Sequence, residues 1–318
     1  AYRLLVSIQV KASKRRDYAI WIYFGGCGRM MESDEDGAFR CFDDFVPVLR
    51  KLISQISIKP FLQNPALNLI FRQGKLCCGP NETARRISAY DENVRKPKLD
   101  IKQPVKGSGP IFFTSCNGIY FENFGEEFAR RLLTTRPKAS LYIHICLPGP
   151  DTNSIYQSIS DDFPGRTGFG ITASPPYDTT TYFTCERFFI AEKLINDIGR
   201  PVVSLDLDVA LTGNAPDFHD FANSSDVAWY DTGRNEPASV CQASAIMWGN
   251  GKGTRHFLRA LQAFCFSSDL ENPSVASWML DQAGLYSVRH FFRKQKPDEV
   301  QFSDFKSAGP SFEKSLET

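Results

Sequence analysis

From Ile111 to Phe266 short apolar runs alternate with amphipathic ones, and few folds accept that rhythm. Ile111 to Cys116 predicts a buried strand, and Phe121, Phe124, Phe128, Leu132 and Leu133 mark a helix face after it. Ser140 to Leu147 predicts a second strand, closed by Pro148-Gly149-Pro150. Residues 151–180 read as polar and turn-rich. Glu186 to Ile198 predicts a helix ended by Gly199 and Pro201, and Pro201 to Leu207 an apolar strand. Val227 to Tyr230 and Ser244 to Trp248 read as later strands, and Thr254 to Phe266 as a further helix. Such alternation predicts an α/β fold, a sheet with helices on both faces.

The first third reads differently. Leu4 to Val10 and Ala19 to Phe24 predict strands, with Gly25, Gly26 and Gly28 in a plain loop after them. Asp43 and Asp44 precede Phe45, Val48, Leu49, Leu52, Ile53 and Ile56, which have helical spacing. Ala66 to Phe71 and Lys75 to Cys78 flank Arg72-Gln73-Gly74 as a hairpin would. Residues 80–110 carry Pro97, Pro104, Gly107, Gly109 and Pro110 and few large apolar groups, and so read as a linker or an extended crossing segment. The expected organisation is a small α+β domain with its linker at 1–105, then the α/β domain at 106–318.

Charge excludes one class of partner. Lys plus Arg is 37 against 36 Asp plus Glu in 318 residues, so no nucleic-acid footprint shows. No apolar stretch approaches the ~20 residues that span a bilayer, which predicts no transmembrane segment. The chain opens on Ala1 without Met, as a piece of a longer protein would. Nine cysteines, with no CxxC pair and no zinc-ligand spacing, read as free thiols of a cytoplasmic protein.

Chemistry concentrates at Val202-Val203-Ser204-Leu205-Asp206-Leu207-Asp208-Val209. An apolar strand ends here in two carboxylates, at the sheet edge where open α/β folds bind ligands. Strand alternation predicts both side chains on one face. Carboxylates held that close repel unless a cation lies between them. Mn2+ or Mg2+ carrying a diphosphate meets the demand for oxygen ligands with open positions. A solvated strand-end turn is the alternative reading.

On these residues, 111–290 resembles the nucleotide-sugar glycosyltransferases of GT-A fold, a Rossmann-like domain of the glycogenin and lipopolysaccharide galactosyltransferase type. Four segments carry the resemblance. Phe112 to Tyr120 matches the first strand and its exit, and Cys185-Glu186-Arg187-Phe188 before Leu205-Asp206-Leu207-Asp208 matches the Arg-then-DxD order. Gln242 to Trp248 is similar to the small-residue loop beside the donor sugar, and Trp278-Met279-Leu280-Asp281-Gln282 to the Asp-Gln pair near the anomeric carbon.

The resemblance implies a metal-dependent transfer of a sugar from a nucleoside-diphosphate sugar, a UDP-sugar by analogy. The acceptor would be a glycan, a lipid-linked saccharide or a protein, and peripheral membrane contact is compatible with this. Ser115, Cys116, Asn117, Tyr120, Arg187, Asp206, Gln242 and Ser244 would bind the nucleotide sugar. Asp206 and Asp208 would ligate the metal, with His290 as a candidate third ligand or a satisfied strand histidine within Val288–Phe292. Asp281 and Gln282 would act at the sugar, with retention of configuration, since no catalytic base is evident. His144 reads as a core histidine, and His219 and His256 carry no motif.

Two other readings fit parts of the pattern. Asp206-Leu207-Asp208-Val209 also resembles the nucleophile motif of haloacid-dehalogenase-type phosphatases, although that motif usually opens the domain. A non-catalytic α/β binding or scaffold protein is the third reading.

Overall fold

The computed structural model describes residues 36–41, 79–89, 96–106, 111–175, 180–211, 224–231, 241–266, 280–305 and 316–317, together with Arg29, Asp44, Phe218 and Ala222 singly. The strands expected in 1–24, the Phe45–Ile56 helix and the 66–78 hairpin lie outside these residues.

Strands β1 (Asp100–Gln103), β2 (Ile111–Asn117), β3 (Ser140–Cys146), β4 (Thr167–Thr172), β5 (Val202–Leu205), β7 (Val227–Asp231), β8 (Cys241–Trp248) and β9 (Phe302–Asp304) form one sheet. Its order is β1-β4-β3-β2-β5-β8-β7-β9. The block β4-β3-β2-β5 is parallel, while β8 runs against both β5 and β7. Hence β5 and β7 point the same way, and their C-terminal ends open on one edge. A short ladder joins β6 (Ala210–Leu211) to β10 (Leu316–Glu317).

Helices α1 (Pro80–Ser88), α2 (Gly118–Thr135), α3 (Thr152–Asp162), α4 (Thr180–Ile198), α5 (Lys252–Phe266) and α6 (Leu280–Gln295) accompany the sheet. α2 starts where Asn117 Oδ1 accepts the Tyr120 N–H at 2.7 Å, satisfying one free donor of the first turn. It buries Phe121, Phe128, Leu132 and Leu133. α4 stops at Gly199, whose φ of 70° suits a residue without Cβ, and Pro201 blocks continuation. One buried cluster holds Phe113, Phe188, Leu194, Trp248, Phe257 and Leu261. The other holds Phe112, Phe128, Leu141, Ile143, Phe169 and Met247. Alternate residues of β2 and β8 therefore feed opposite layers, as an α/β sandwich requires.

The structure corrects several expectations. β5 stops at Leu205, and Asp206 to Val209 is a turn in which Val209 N–H donates to Asp206 O at 3.2 Å. Leu207 and Val209 are buried although they are not in a strand, which is why their pattern imitates one. The 151–180 stretch contains α3 and β4. α3 buries only Tyr156 and Ile159 beyond its first residue, too few to show helical periodicity. β4 carries two glycines; a Cβ on Gly170 would collide with the Tyr142 hydroxyl. The 80–110 linker contains α1 and β1, the latter paired with β4. Val288 to Phe292 is helical, within α6. Residues 36–41 pack Phe39 against Tyr286 on α6, with ring centres 5.1 Å apart. Arg86 on α1 donates to the Phe264 carbonyl on α5 at 3.2 Å.

Gly118 sets the approach of α2 to the 147–149 loop, since a Cβ there would strike backbone atoms of Gly149 and Leu147. Gly118→Ala should destabilise the fold by about 1–3 kcal/mol, as overpacking against unyielding backbone does. Urea unfolding checks this; an unchanged midpoint would show that the contact is slack.

Candidate functional site

At the C-terminal edge of the parallel block, side chains from distant segments converge on one buried guanidinium. Arg187 is 6% exposed on α4, although cations are rarely so deep. Its Nε donates to Thr184 O at 2.7 Å and its Nη1 to Ala243 O at 2.7 Å. Its Nη2 lies 2.8 Å from Asp206 Oδ1. Burial works against the charge of Arg187, but Asp206 and then Asp281 outweigh it and hold the group protonated. One side chain thus ties α4, the bulged start of β8 and the turn after β5.

Asp206 is fixed from two sides. Its N–H donates to Ser244 O at 2.9 Å, extending the β5–β8 ladder by one bond. Burial raises its carboxyl pKa, Arg187 opposes this, and the nearby Asp208 raises it further. Asp208 itself is exposed. The two carboxylates are therefore coupled neighbours on a turn, one anchored and one facing outward.

Tyr120, the third residue of α2, lies near the same acids. Burial raises its pKa, and Asp208 and Asp206 both add to the rise. Cys116 at the end of β2 is buried; burial first and Asp206 second push its thiol up, so no thiolate nucleophile forms there. Ser115 Oγ is buried without a protein partner among the described residues. Asn117, a predicted nucleotide ligand, spends its Oδ1 on capping α2.

Asp281, in the first turn of α6 and 5% exposed, accepts the Gln282 N–H at 2.9 Å. Burial raises its pKa while the Arg187 charge pulls it down, so Asp281 is within electrostatic reach of Arg187 and Asp206. Gln282 follows, half-buried. Gln242 and Ser244 are half-buried on β8, alternating with buried Cys241 and Ala243. Opposite them the β7–β8 register slips, with Trp229 facing Ile246 and Tyr230 facing Gln242. Such a bulge re-aims side chains beside a site.

The structure thus brings together Cys116, Tyr120, Arg187, Asp206, Asp208 and Asp281. It does not bring His290 to them. His290 lies nine residues beyond Asp281 on α6, roughly 13 Å along the helix. Its ring stacks on Phe39 with centres 3.5 Å apart, and its Nε2 is 4.0 Å from Asp36 Oδ1. Among the described residues no three His, Cys, Asp or Glu side chains form a metal-sized group. What Asp206 and Asp208 supply is a pair of hard oxygen donors. That suits an Mg2+-like ion, which keeps one or two carboxylates and takes its other ligands from phosphate and water.

Behind the site sits a buried acid that the motif reading passed over. Glu186 is fully buried; it accepts from the Tyr182 hydroxyl at 3.1 Å and lies 3.9 Å from His144 Nε2. Burial raises its pKa to about 7, against opposing hydrogen bonds from Thr172, Tyr182 and Cys146. His144 bonds Thr172 Oγ1 at 2.9 Å, and burial lowers its pKa to about 3. It is a core histidine, as its place in an apolar strand suggested. The clue to Glu186 was a charged residue on the apolar face of a helix.

No protein-family model and no curated protein matches the chain. Solved structures do. The bifunctional glycosyltransferase WbbM is 13% identical, with a TM-score of 0.40 over 57% of this chain and 37% of its own. Glycosyltransferase GlyE of Streptococcus pneumoniae is 16% identical, with a TM-score of 0.41 over 63% of this chain and 46% of its own. Galactosyltransferase LgtC, solved with donor and acceptor sugar analogues, is 12% identical, with a TM-score of 0.36 over 56% of this chain and 70% of its own. The chain spans less than half the length of WbbM and GlyE. Among the described residues no helix is long and apolar enough to cross a membrane.

Proposed function

We propose that this chain is a glycosyltransferase that takes its sugar from a nucleoside-diphosphate donor with Mn2+ or Mg2+. The observation that carries this is the gathering of Arg187, Asp208, Tyr120 and Asp281 around Asp206 at one sheet edge. Asp206 and Asp208 would hold the ion, and the ion when bound would neutralise the charge that builds on a departing diphosphate.

The other roles belong to the chain's own side chains. Arg187 locks Asp206 through a charge-assisted bond and so positions one metal ligand. Tyr120 offers a ring to the nucleobase, and the Ser115 hydroxyl, without a partner among the described residues, offers a hydrogen bond to the nucleotide. Gln242, Ser244, Asp281 and Gln282 border the sugar. The acceptor oxygen bonds the anomeric carbon as the carbon–diphosphate bond breaks, its electron pair staying on the diphosphate. The acceptor proton leaves to that same diphosphate oxygen, so retention needs no protein base. UDP-sugars are the favoured donors, and glycans, lipid-linked saccharides or proteins the acceptors.

Asp208→Asn is the direct test. Its side chain is exposed, so the melting temperature should stay within about 1 °C, as for most surface changes. Donor consumption should fall at least ~100-fold, the cost of losing an electrostatic partner of the leaving group. Full activity in this variant would overturn the assignment. Calorimetry with UDP and GDP, with and without Mn2+, tests binding directly. Hydrolysis of a chromogenic phosphate in place of a nucleotide sugar would favour the phosphatase reading.

A further inference from the structure

A cavity of about 650 Å3 opens between α6, β7 and the edge strand β9. Arg289 and Arg293 line it from α6, and a spacing of four residues puts them on one helix face. Asp231 and Asp304, at the C-terminal ends of β7 and β9, also line it. Arg289 Nη1 donates to Asp231 Oδ2 at 3.2 Å, and its guanidinium lies 5.5 Å from the ring centres of both Trp229 and Tyr286. Asp304 Oδ1 accepts the Asp231 N–H at 3.2 Å. Arg289, Asp231 and Asp304 are thus linked through Asp231 before any ligand arrives. Phe302 adds a half-buried ring and Gln301 an exposed polar side chain.

Two guanidiniums balance two carboxylates, so no net charge selects a metal ion or a simple anion. A ligand rich in hydroxyls fits better. Hydroxyls can donate to carboxylates and accept from guanidiniums, while a C–H face packs on an aromatic ring.

The position of the cavity narrows the ligand. β7 runs parallel in direction to β5 with only β8 between them, so Asp231 opens on the same edge as Asp206, roughly 10 Å away. Arg289 lies eight residues beyond Asp281 on α6, roughly 12 Å along the axis. A short chain of linked sugars can bridge those spans.

We propose that this cavity is a subsite for the inner sugars of an oligosaccharide acceptor whose terminal residue reaches the donor at Asp281. The inference rests on the glycosyltransferase reading and adds that the acceptor is a glycan recognised over several units.

The test uses a panel of nitrophenyl mono-, di- and trisaccharides with saturating UDP-sugars and Mn2+. Two variants are compared with the wild type: Arg293→Ala, which removes an exposed cation, and Asp304→Ala, which removes a carboxylate from the β9 wall. Donor hydrolysis to water and UDP binding should stay within about two-fold of the wild type in both, since neither residue borders the donor. In the wild type, KM should fall about ten-fold or more from mono- to trisaccharide. In both variants that advantage should shrink by about ten-fold, the worth of one hydrogen bond to a charged group. A wild type that ignores acceptor length, or uses no member of the panel while still hydrolysing the donor, overturns the subsite. So do folded variants that keep the length advantage. Absence of UDP uptake and donor hydrolysis in the wild type overturns the glycosyltransferase reading itself, and the subsite with it.

Discussion

Arg187→Ala should unfold at markedly lower urea than the wild type and should lose sugar transfer. The side chain is 6% exposed and makes bonds of 2.7, 2.7 and 2.8 Å to Thr184 O, Ala243 O and Asp206 Oδ1. Truncation leaves two carbonyls without their donor and two neighbouring carboxylates, Asp206 and Asp281, without their cation. Removing one partner of a buried charge pair typically costs about 3–5 kcal/mol, because the remaining charge stays desolvated. Asp206 is 32% exposed, so water relieves part of its share, and the lower end of that range is expected.

A second substitution separates electrostatics from packing. In Arg187→Ala with Asp206→Asn, one of the stranded charges is gone. The double variant should therefore be less destabilised than the sum of the singles by about 1–3 kcal/mol, the coupling found for groups in one network. Strict additivity in the cycle would mean that Arg187 acts through packing and its two carbonyl bonds alone. Arg187→Lys keeps the charge but loses the fork of donors, so it should recover only part of the stability.

Sequence nominated the members of this candidate site more readily than it showed their arrangement. Arg187, Asp206, Asp208 and Asp281 were legible because chain order and residue type suffice to nominate them. Their geometry was not. Alternation in Leu205-Asp206-Leu207-Asp208-Val209 continues past the true end of β5, since Leu207 and Val209 are buried in a turn. The carboxylates adjoin because a turn brings them together, not because a strand face does. His290 was misplaced for a different reason. Its partner Phe39 lies some 250 residues earlier, and no local pattern announces a stacking contact of that separation. α3 and β4 were invisible because one buries few apolar side chains and the other substitutes glycine where neighbours crowd in. The alternation that set the α/β class survives in the parallel block β4-β3-β2-β5.

Glu186→Gln should make the protein more stable at pH 8 by about 3 kcal/mol relative to its difference from the wild type at pH 4. The folded pKa of Glu186 is raised to about 7 from 4.5, with burial as the main cause. Its contribution is therefore fully present below pH 4.5 and lost as pH rises to about 7. Each pKa unit is worth about 1.4 kcal/mol, which gives the expected size. His144 moves the opposite way. Its folded pKa is lowered to about 3 from 6.5, so its contribution is present above pH 6.5 and lost as pH falls toward 3. Between pH 4.5 and 6.5 the two slopes oppose each other in the wild type, which hides both. Glutamine keeps the shape and an acceptor for the Tyr182 hydroxyl but cannot ionise, so the variant should keep the histidine slope without the opposing glutamate one. Urea unfolding of both proteins at half-unit steps from pH 4 to pH 8.5 measures the difference directly, with other titrating groups cancelling. A difference that stays flat across that range would mean that Glu186 titrates alike in the folded and unfolded chain, its burial offset by the bonds from Thr172, Tyr182 and Cys146.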